Sequence, residues 1–199
     1  MASTATPYGA SPVGTLSSAG SFSSKTRLLE IASGYATAIF NGDFVKLVAD
    51  GTVEKDTGTT FLTTCGVFLG CQYTDPSSKQ LTFNTQWPAG TVASDAKAYV
   101  LDDPFVLLQM QADGSLALTT RGLNAAVVQT AGSTSIGKSK VSVDASSVAT
   151  TNTLPLRIVD FVDGPDSAVG DAFTDVIVKF NAASSGSAST HQYLNATGA

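Results

Sequence analysis

The sequence predicts an all-β fold, arranged as an antiparallel barrel or sandwich. Short apolar segments recur about every ten residues, each bounded by Gly, Asp, Asn or Pro, which is typical of strands joined by turns. Apolar residues make up 43% of the 199 residues, enough to build a core without disulfides. Strand-like segments do not alternate with long helical patterns, which argues against a doubly wound α/β fold.

The composition divides the chain into a β domain, residues 25–181, between two polar flanks. Residues 1–24 contain no charged side chain and are rich in Ser, Ala, Thr and Gly, so we expect an extended N-terminal arm. This arm is either a disordered tail or a segment that orders against a neighbouring subunit. Residues 182–199 form a low-complexity C-terminal tail, which is either a second arm or a strand that completes a sheet edge. The candidate partner contacts are the apolar residues of the arm: Tyr8, Pro12, Val13, Leu16 and Phe22.

The β domain opens with residues 25–31, which are compatible with a short helix. Residues 35–40 and 44–48 are predicted to pair as a hairpin, because Gly42 between them can adopt the positive φ that such a turn requires. A second turn at Asp50 and Gly51 leads to residues 52–54. Asp144 is positioned to cap a short helical turn. The remaining strand candidates are residues 61–73, 79–86, 96–101, 105–111, 116–119, 125–129, 140–143, 156–162 and 176–180.

Cys65 and Cys71 lie within one predicted strand. An extended chain would separate their Cα atoms by about 20 Å, whereas a disulfide requires about 7 Å or less. Their even spacing puts both thiols on one face of the strand, together with Val67 and Leu69. We therefore expect buried free thiols, which suit a reducing cytoplasm. Pairing across a bulge and a metal site stay open as alternatives, although a metal would lack a companion His or Cys.

The charge pattern argues against a nucleic-acid partner. The formal net charge is −5 and the sequence pI is about 4.6. The few basic residues are scattered from Lys25 to Lys179, whereas phosphate binding requires clustered cations. A basic partner surface stays open. The first residues lack the pattern of an export signal, and no window approaches the roughly 18 apolar residues of a membrane helix, so we expect no membrane partner.

Few residues could carry chemistry. Two groups of carboxylates, at residues 102–103 and 160–166, fall in predicted turns, where Asp usually accepts hydrogen bonds from its own backbone. The single histidine, His191, lies in the low-complexity tail, and no serine occupies a Gly-x-Ser-x-Gly elbow. We predict no catalytic residue, no metal site and no cofactor, and therefore not an enzyme.

Residues 132–139 match the Gly-x-x-x-x-Gly-Lys-Ser spacing of a phosphate-binding loop. A functional loop of this kind is followed by a helix, whose N-terminus binds the anion. Here residues 140–143 alternate in polarity and predict a strand. A hairpin loop is therefore the favoured interpretation, and nucleotide binding, which Lys138→Ala would abolish, is the enzyme-class alternative.

Three aromatic residues offer a further binding hypothesis. Trp87, Phe83 and Tyr99 could together form a platform for a base or a sugar. No basic or polar cluster accompanies them in the sequence, so packing in a core or at a corner is favoured.

Several segments resemble small virion proteins of tailed bacteriophages from aquatic bacteria. They are PYGASPVG (7–14), AIFNGDFVK (38–46), GVFLGCQYTD (66–75), WPAGT (87–91) and LPLRI (154–158). Such proteins accompany the major capsid protein and look like head decoration, or cement, proteins. The resemblance covers segments from residue 7 to about residue 158 and includes no catalytic signature.

The resemblance implies a structural role on the exterior of the virion, for a protein folded in the host cytoplasm. Decoration proteins bind the outer surface of the capsid and stabilise the shell by bridging neighbouring major capsid subunits. The expected partners are the major capsid protein and further copies of this chain, with a trimer favoured by analogy. A head-fibre, tail or host-adhesion component is the alternative within the same class.

Overall fold

The computed structural model describes residues 4–16, 25–182 and 190–195. Over these residues the chain is strand and turn, with three short 3-10 helices at Leu118–Thr120, Ala145–Ser147 and Gln192–Leu194, and the predicted all-β class is confirmed. The strands are β1 Ser11–Thr15, β2 Arg27–Glu30, β3 Ile39–Phe40, β4 Phe44–Leu47, β5 Val53–Lys55, β6 Gly66–Thr74, β7 Leu81–Asn84, β8 Gln86–Trp87, β9 Lys97–Leu101, β10 Val106–Gln111, β11 Asn124–Ala125, β12 Val127–Val128, β13 Ser142–Val143, β14 Leu156–Phe161 and β15 Asp175–Phe180.

Five strands form the first sheet, in the order β1-β10-β15-β14-β11, with antiparallel pairing throughout. The central strands alternate in burial: Val176, Val178 and Phe180 of β15 are buried, while the residues between them are half-buried. This period of two is what a sheet with one face on a core and one face toward solvent requires.

The second sheet is built on β6, its longest strand. Strand β9 pairs along one edge of β6 and β2 pairs beyond it, while β4 and β7 share the other edge, β4 at the start of β6 and β7 at its end. Strand β5 completes the sheet beside β4. Two smaller sheets, β3-β8 and β12-β13, flank this arrangement.

Two hydrophobic cores hold the sheets together. The first core lies between them and joins Phe44, Val67 and Leu101 of the second sheet to residues of β10, β14 and β15. The second core lies on the opposite side of the second sheet, where Trp87 and Ile39 cover it. Among the described residues the sheets are open and packed face to face, which makes the architecture a sandwich rather than a closed barrel.

The predicted hairpin around Gly42 is wrong in its pairing. The turn itself is present, because Asp43 N donates to Phe40 O at 2.9 Å and Gly42 has φ +94°. However, β3 pairs with β8 and β4 pairs with β5 and β6. The turn therefore connects a strand of the small sheet β3-β8 to a strand of the second sheet. Which strands pair depends on residues distant in the sequence, and local turn chemistry does not specify it.

Other local predictions have mixed outcomes. The helix considered for residues 25–31 is wrong, since Arg27–Glu30 pair with β9, and residues 116–119 carry a 3-10 turn in place of a strand. The turn before β5 is confirmed, with Gly51 at φ +84°. The cap is also confirmed: the Asp144 carboxylate accepts from the backbone N–H groups of the two residues that follow Ala145.

Cys65 and Cys71 are buried free thiols, as predicted. Both belong to the second core. Val67 and Leu69, expected on the same face as the thiols, instead lie on the first core: Val67 is one of its members and Leu69 packs against it. A register shift between Phe68 and Gly70 inserts an extra residue into β6, which places Val67 and Cys71 on opposite faces of the strand. Cys65 precedes the first residue of β6 and so lies outside its alternation.

Candidate partner-binding surface

Among the described residues, both cysteines and the carboxylates at residues 102–103 are buried or take part in contacts within the fold. Burial raises the pKa of both Cys65 and Cys71 to about 12, which leaves the thiols protonated and unreactive. Asp102 forms an ion pair with Arg27 at 2.7 Å. Asp103 accepts a hydrogen bond from Phe105 N, as predicted for a turn carboxylate, whereas Asp160, also predicted to lie in a turn, belongs to β14. Among the described residues no three His, Cys, Asp or Glu side chains converge as a metal site would require.

The segment with phosphate-loop spacing is a tight turn between Ser133 and Lys138. Ser133 N donates to Lys138 O at 2.8 Å, and Gly137 adopts φ +68°. The Lys138 ammonium donates to Asn41 Oδ1 at 2.9 Å, so the lysine serves a contact within the fold. The chain continues toward β13 and not into a helix, so the anion-binding helix N-terminus is missing at this point.

His191 is fully buried, although it follows a low-complexity segment. Its ring lies 5.2 Å from that of Phe180 and 5.4 Å from that of Tyr193, measured between centroids. Burial lowers the pKa of His191 to about 4, because the site disfavours a charged imidazole. The neutral ring is therefore part of the packing at neutral pH.

The residues on either side of His191 fasten the chain to both sheets. The Thr190 hydroxyl donates to Pro155 O at 3.0 Å, next to the first sheet. The Gln192 side chain accepts from Leu47 N at 2.8 Å and donates to Leu47 O at 3.0 Å, at the end of β4 in the second sheet. Residues 190–195 thus connect the two sheets through hydrogen bonds, and we call this segment the clasp.

The first described residues lie against the protein's own first sheet. The Gln111 side chain accepts from Thr6 N at 2.8 Å and donates to Thr4 O at 3.1 Å. Ala10 donates its N–H to Gly42 O at 2.9 Å and belongs to the first core. Strand β1 then pairs with β10. Residues 4–15, part of the arm expected from composition, are extended and docked on the same molecule.

Two of the predicted contact residues face this molecule. Tyr8 is half-buried near Gln109 and Asp175, where burial and the neighbouring carboxylate raise the pKa of the phenol. Pro12 is half-buried and lies opposite Leu108, a residue of the first core. These side chains hold the N-terminal segment on the first sheet.

The other predicted contact residues are available to a partner. Val13 is 44% exposed and Leu16 is 45% exposed. Leu16 N donates to Phe105 O at 3.0 Å, which brings Phe105, 53% exposed, beside Leu16. Gly14 lies opposite Leu107, and a Cβ there would be 3.8 Å from Leu107 Cδ1. We call this group the apolar rim: Val13, Leu16, Phe105 and Leu107. Phe22 lies outside the described residues.

The apolar rim continues onto the face of the first sheet that points away from the first core, here called the outer face. Gln109 and Ile177 are opposite each other in the register of β10 and β15, and both alternate with core residues. Farther across the sheet, Arg157 lies opposite Lys179. We call these two the cationic pair.

A second exposed group lies on the second sheet. Phe83 of β7 is 65% exposed and Leu81 is 57% exposed. Phe83 lies opposite Gln72, whose Oε1 accepts from the Tyr99 hydroxyl at 2.5 Å. Trp87 is buried in the second core, so it does not join the other two aromatic residues in a platform. The favoured interpretation of the three aromatic residues as packing is confirmed for Trp87 and is wrong for the exposed Phe83.

The sequence did not predict the other residues of the candidate surface, which come from β10, β14, β15 and the loop before β10. Phe105, Leu107, Arg157 and Lys179 were seen only as members of strand candidates. Alternation within residues 176–180 does place Lys179 on the face opposite the core. The pairing of β14 with β15, which brings Arg157 beside it, is a long-range choice that no local pattern in the sequence specifies.

No protein-family model matches the chain, and neither a curated protein nor a solved structure matches it. Within the described part of the chain, no helix has the length and apolar character needed to cross a bilayer.

Proposed function

We propose that the protein is a structural virion component that binds the outer surface of a tailed-bacteriophage capsid and stabilises the shell by bridging neighbouring major capsid subunits. The observation that carries the proposal is the apolar rim, where Val13, Leu16 and Phe105 are about half exposed at the edge of a rigid sheet. Adjacent exposed apolar side chains of this kind mark interaction sites. The resemblance of the N-terminal segment and four later segments to decoration proteins supplies the identity of the partner.

The rim can bind without first ordering a flexible chain. Strand β1 is already paired with β10, and Ala10 is already in the first core. An arm that orders only on binding gives up conformational entropy, whereas a docked strand does not. Burying the exposed halves of three apolar side chains contributes roughly 1 kcal/mol each. Many symmetric copies on one shell turn such a modest contact into stable coverage.

The chemistry of the described residues supports binding rather than turnover. The thiols of Cys65 and Cys71 and the imidazole of His191 are all buried within the fold. A nucleophile or base in these positions has no access to a substrate in solution. The accessible groups are apolar side chains on two sheets and the charges around them.

A binding assay on capsid shells tests the proposal. Purified protein is added to expanded shells of the phage that encodes it, prepared without the protein, and bound copies are counted after sedimentation. Val13→Asp with Leu16→Asp places two charges in the rim and should reduce occupancy at least tenfold. Ile136→Asp is the control for a charge at an exposed apolar position that is not part of the rim, since Ile136 is 68% exposed in the turn between Ser133 and Lys138. Equal occupancy of the rim variant and the control would reject the rim as the contact.

The position of the protein on the particle separates the proposal from its alternative. Even coverage of the head, with trimers at local three-fold positions favoured, is the expected arrangement for a decoration protein. Density confined to one vertex would instead identify a head-fibre, tail or adhesion component. Absence from purified virions would reject both.

A further inference from the structure

The cationic pair brings two of the few basic residues of this protein together. The chain has only 11 basic residues against 16 acidic ones, yet Arg157 and Lys179 are direct cross-strand neighbours. Neither forms an ion pair among the described residues; Arg157 Nε donates to the neutral Asn124 Oδ1 at 2.9 Å. The nearby carboxylate of Asp160 pairs instead with Arg121.

Two like charges directly opposite each other in a sheet destabilise the fold. Lys179 is also half-buried, and burial, followed by the charge of Arg157, lowers the pKa of its ammonium group. Folding alone would favour a carboxylate or a neutral side chain at one of these positions. The repulsion between the two cations lowers the stability of the fold. A partner that carries negative charge would relieve it.

We propose that the cationic pair on the outer face receives carboxylate side chains of the protein partner that the apolar rim binds. This inference rests on the proposed function and adds the chemistry of the partner surface: an acidic segment next to an apolar one. Arg157, with its planar guanidinium, can bind a carboxylate through two hydrogen bonds, and Lys179 adds a point charge beside it.

The surroundings of the pair favour a protein carboxylate over a phosphate polymer. Two cations on a chain of net charge −5 give too small a basic area to track a nucleic-acid backbone. Half-buried apolar side chains on the same face, Leu107 and Ile177, suit a protein surface instead. The inference also departs from what the net charge indicates, since an acidic chain as a whole would favour a basic partner.

One neutral substitution distinguishes a binding role from a structural one. Lys179→Gln removes the repulsion, so the urea midpoint of unfolding should rise, while shell binding should fall about threefold to tenfold at low salt. Lys140→Gln is the control, because Lys140 is exposed, outside the outer face, and loses the same charge. A fall in stability for Lys179→Gln, or equal shell binding by both variants, would overturn the proposal.

A second measurement is independent of the capsid. Hexaglutamate is titrated into the protein at low salt while the backbone amide signals of residues 157 and 179 are followed by NMR, with a single-stranded DNA oligomer as the competing polyanion. The peptide should shift these signals, and the double variant Arg157→Gln with Lys179→Gln should lose the shifts. Absence of shifts at the pair, or tighter binding of the DNA oligomer, would overturn the inference. Failure of the wild type to bind shells, with these shifts present, would reject the proposed function alone.

Discussion

Acidification should destabilise the protein through His191. The imidazole is fully buried, and burial lowers its pKa from 6.5 to about 4. Below pH 6.5 the unfolded chain binds a proton that the folded chain does not, so the free energy of unfolding decreases as pH falls. Each pH unit in this window costs about 1.4 kcal/mol. Between pH 6.5 and pH 4 the loss reaches about 3 kcal/mol, and below pH 4 this group adds no further loss.

The assay is urea unfolding at several pH values from 7 to 4. Trp87 is the only tryptophan and is fully buried, so its fluorescence reports global unfolding. Carboxylates titrate in the same range, which requires a variant that lacks only the imidazole. His191→Gln supplies it: the variant is less stable at pH 7, and the difference between the two proteins should shrink by about 3 kcal/mol as pH falls to 4.

A constant difference across this range would refute the reasoning. It would mean that the folded protein accommodates a protonated imidazole as readily as water does. The packing of His191 between Phe180 and Tyr193 would then have to open in solution.

The remaining predictions concern the N-terminal segment, the clasp and the thiols. Gly9→Ala should lower the free energy of unfolding by about 2 kcal/mol or more, because Gly9 has φ +78° and a Cβ would lie 2.5 Å from Ser139 Cβ. Gly34→Ala is the control: Gly34 has φ +77° with open space around it, so the free energy of unfolding should fall by less. Equal losses in the two variants would argue against docking of the N-terminal segment. Gln192→Ala leaves the backbone of Leu47 without two partly buried hydrogen bonds and should cost about 2 kcal/mol in urea unfolding. A cost below about 0.5 kcal/mol, as for a surface residue, would argue against the clasp. Neither cysteine should react with Ellman's reagent at pH 8 until urea unfolds the protein, and reaction in the native state would contradict the raised thiol pKa values.

The fold class and many strand positions follow from local patterns. Apolar and polar residues alternate along residues 176–180 because one face of β15 lies on the first core. The turn after Asp144 is predictable because the Asp144 side chain itself accepts the backbone hydrogen bonds of that turn. Pairing is different. The turn at Gly42 was correctly placed, yet its two strands have other partners, because sheet pairing is decided by burial far along the chain. The extra residue in β6 likewise places Val67 and Cys71, expected on one face, in different cores.

The candidate partner-binding surface could be predicted only in part, because the sequence pattern does not specify which distant residues lie together in the sheets. Val13 and Leu16 stand out as apolar residues in an uncharged segment, and both are exposed. Tyr8 was identified by the same signal and instead lies against Gln109 and Asp175. Apolar character shows that a side chain will be buried, but not whether the burying surface belongs to the same molecule. The burial of His191 was not predicted, because the segment before it is rich in Ser and Ala while one of its ring contacts, Phe180, lies on β15.

The proposed function is tested most directly by a cryo-electron microscopy reconstruction of a virion that, on this proposal, carries the protein. We expect density for the β sandwich repeated over the outside of the head, with the apolar rim and the cationic pair facing the major capsid protein. A head that lacks this density, or a sandwich bound with the outer face of its first sheet turned to solvent, would contradict this expectation.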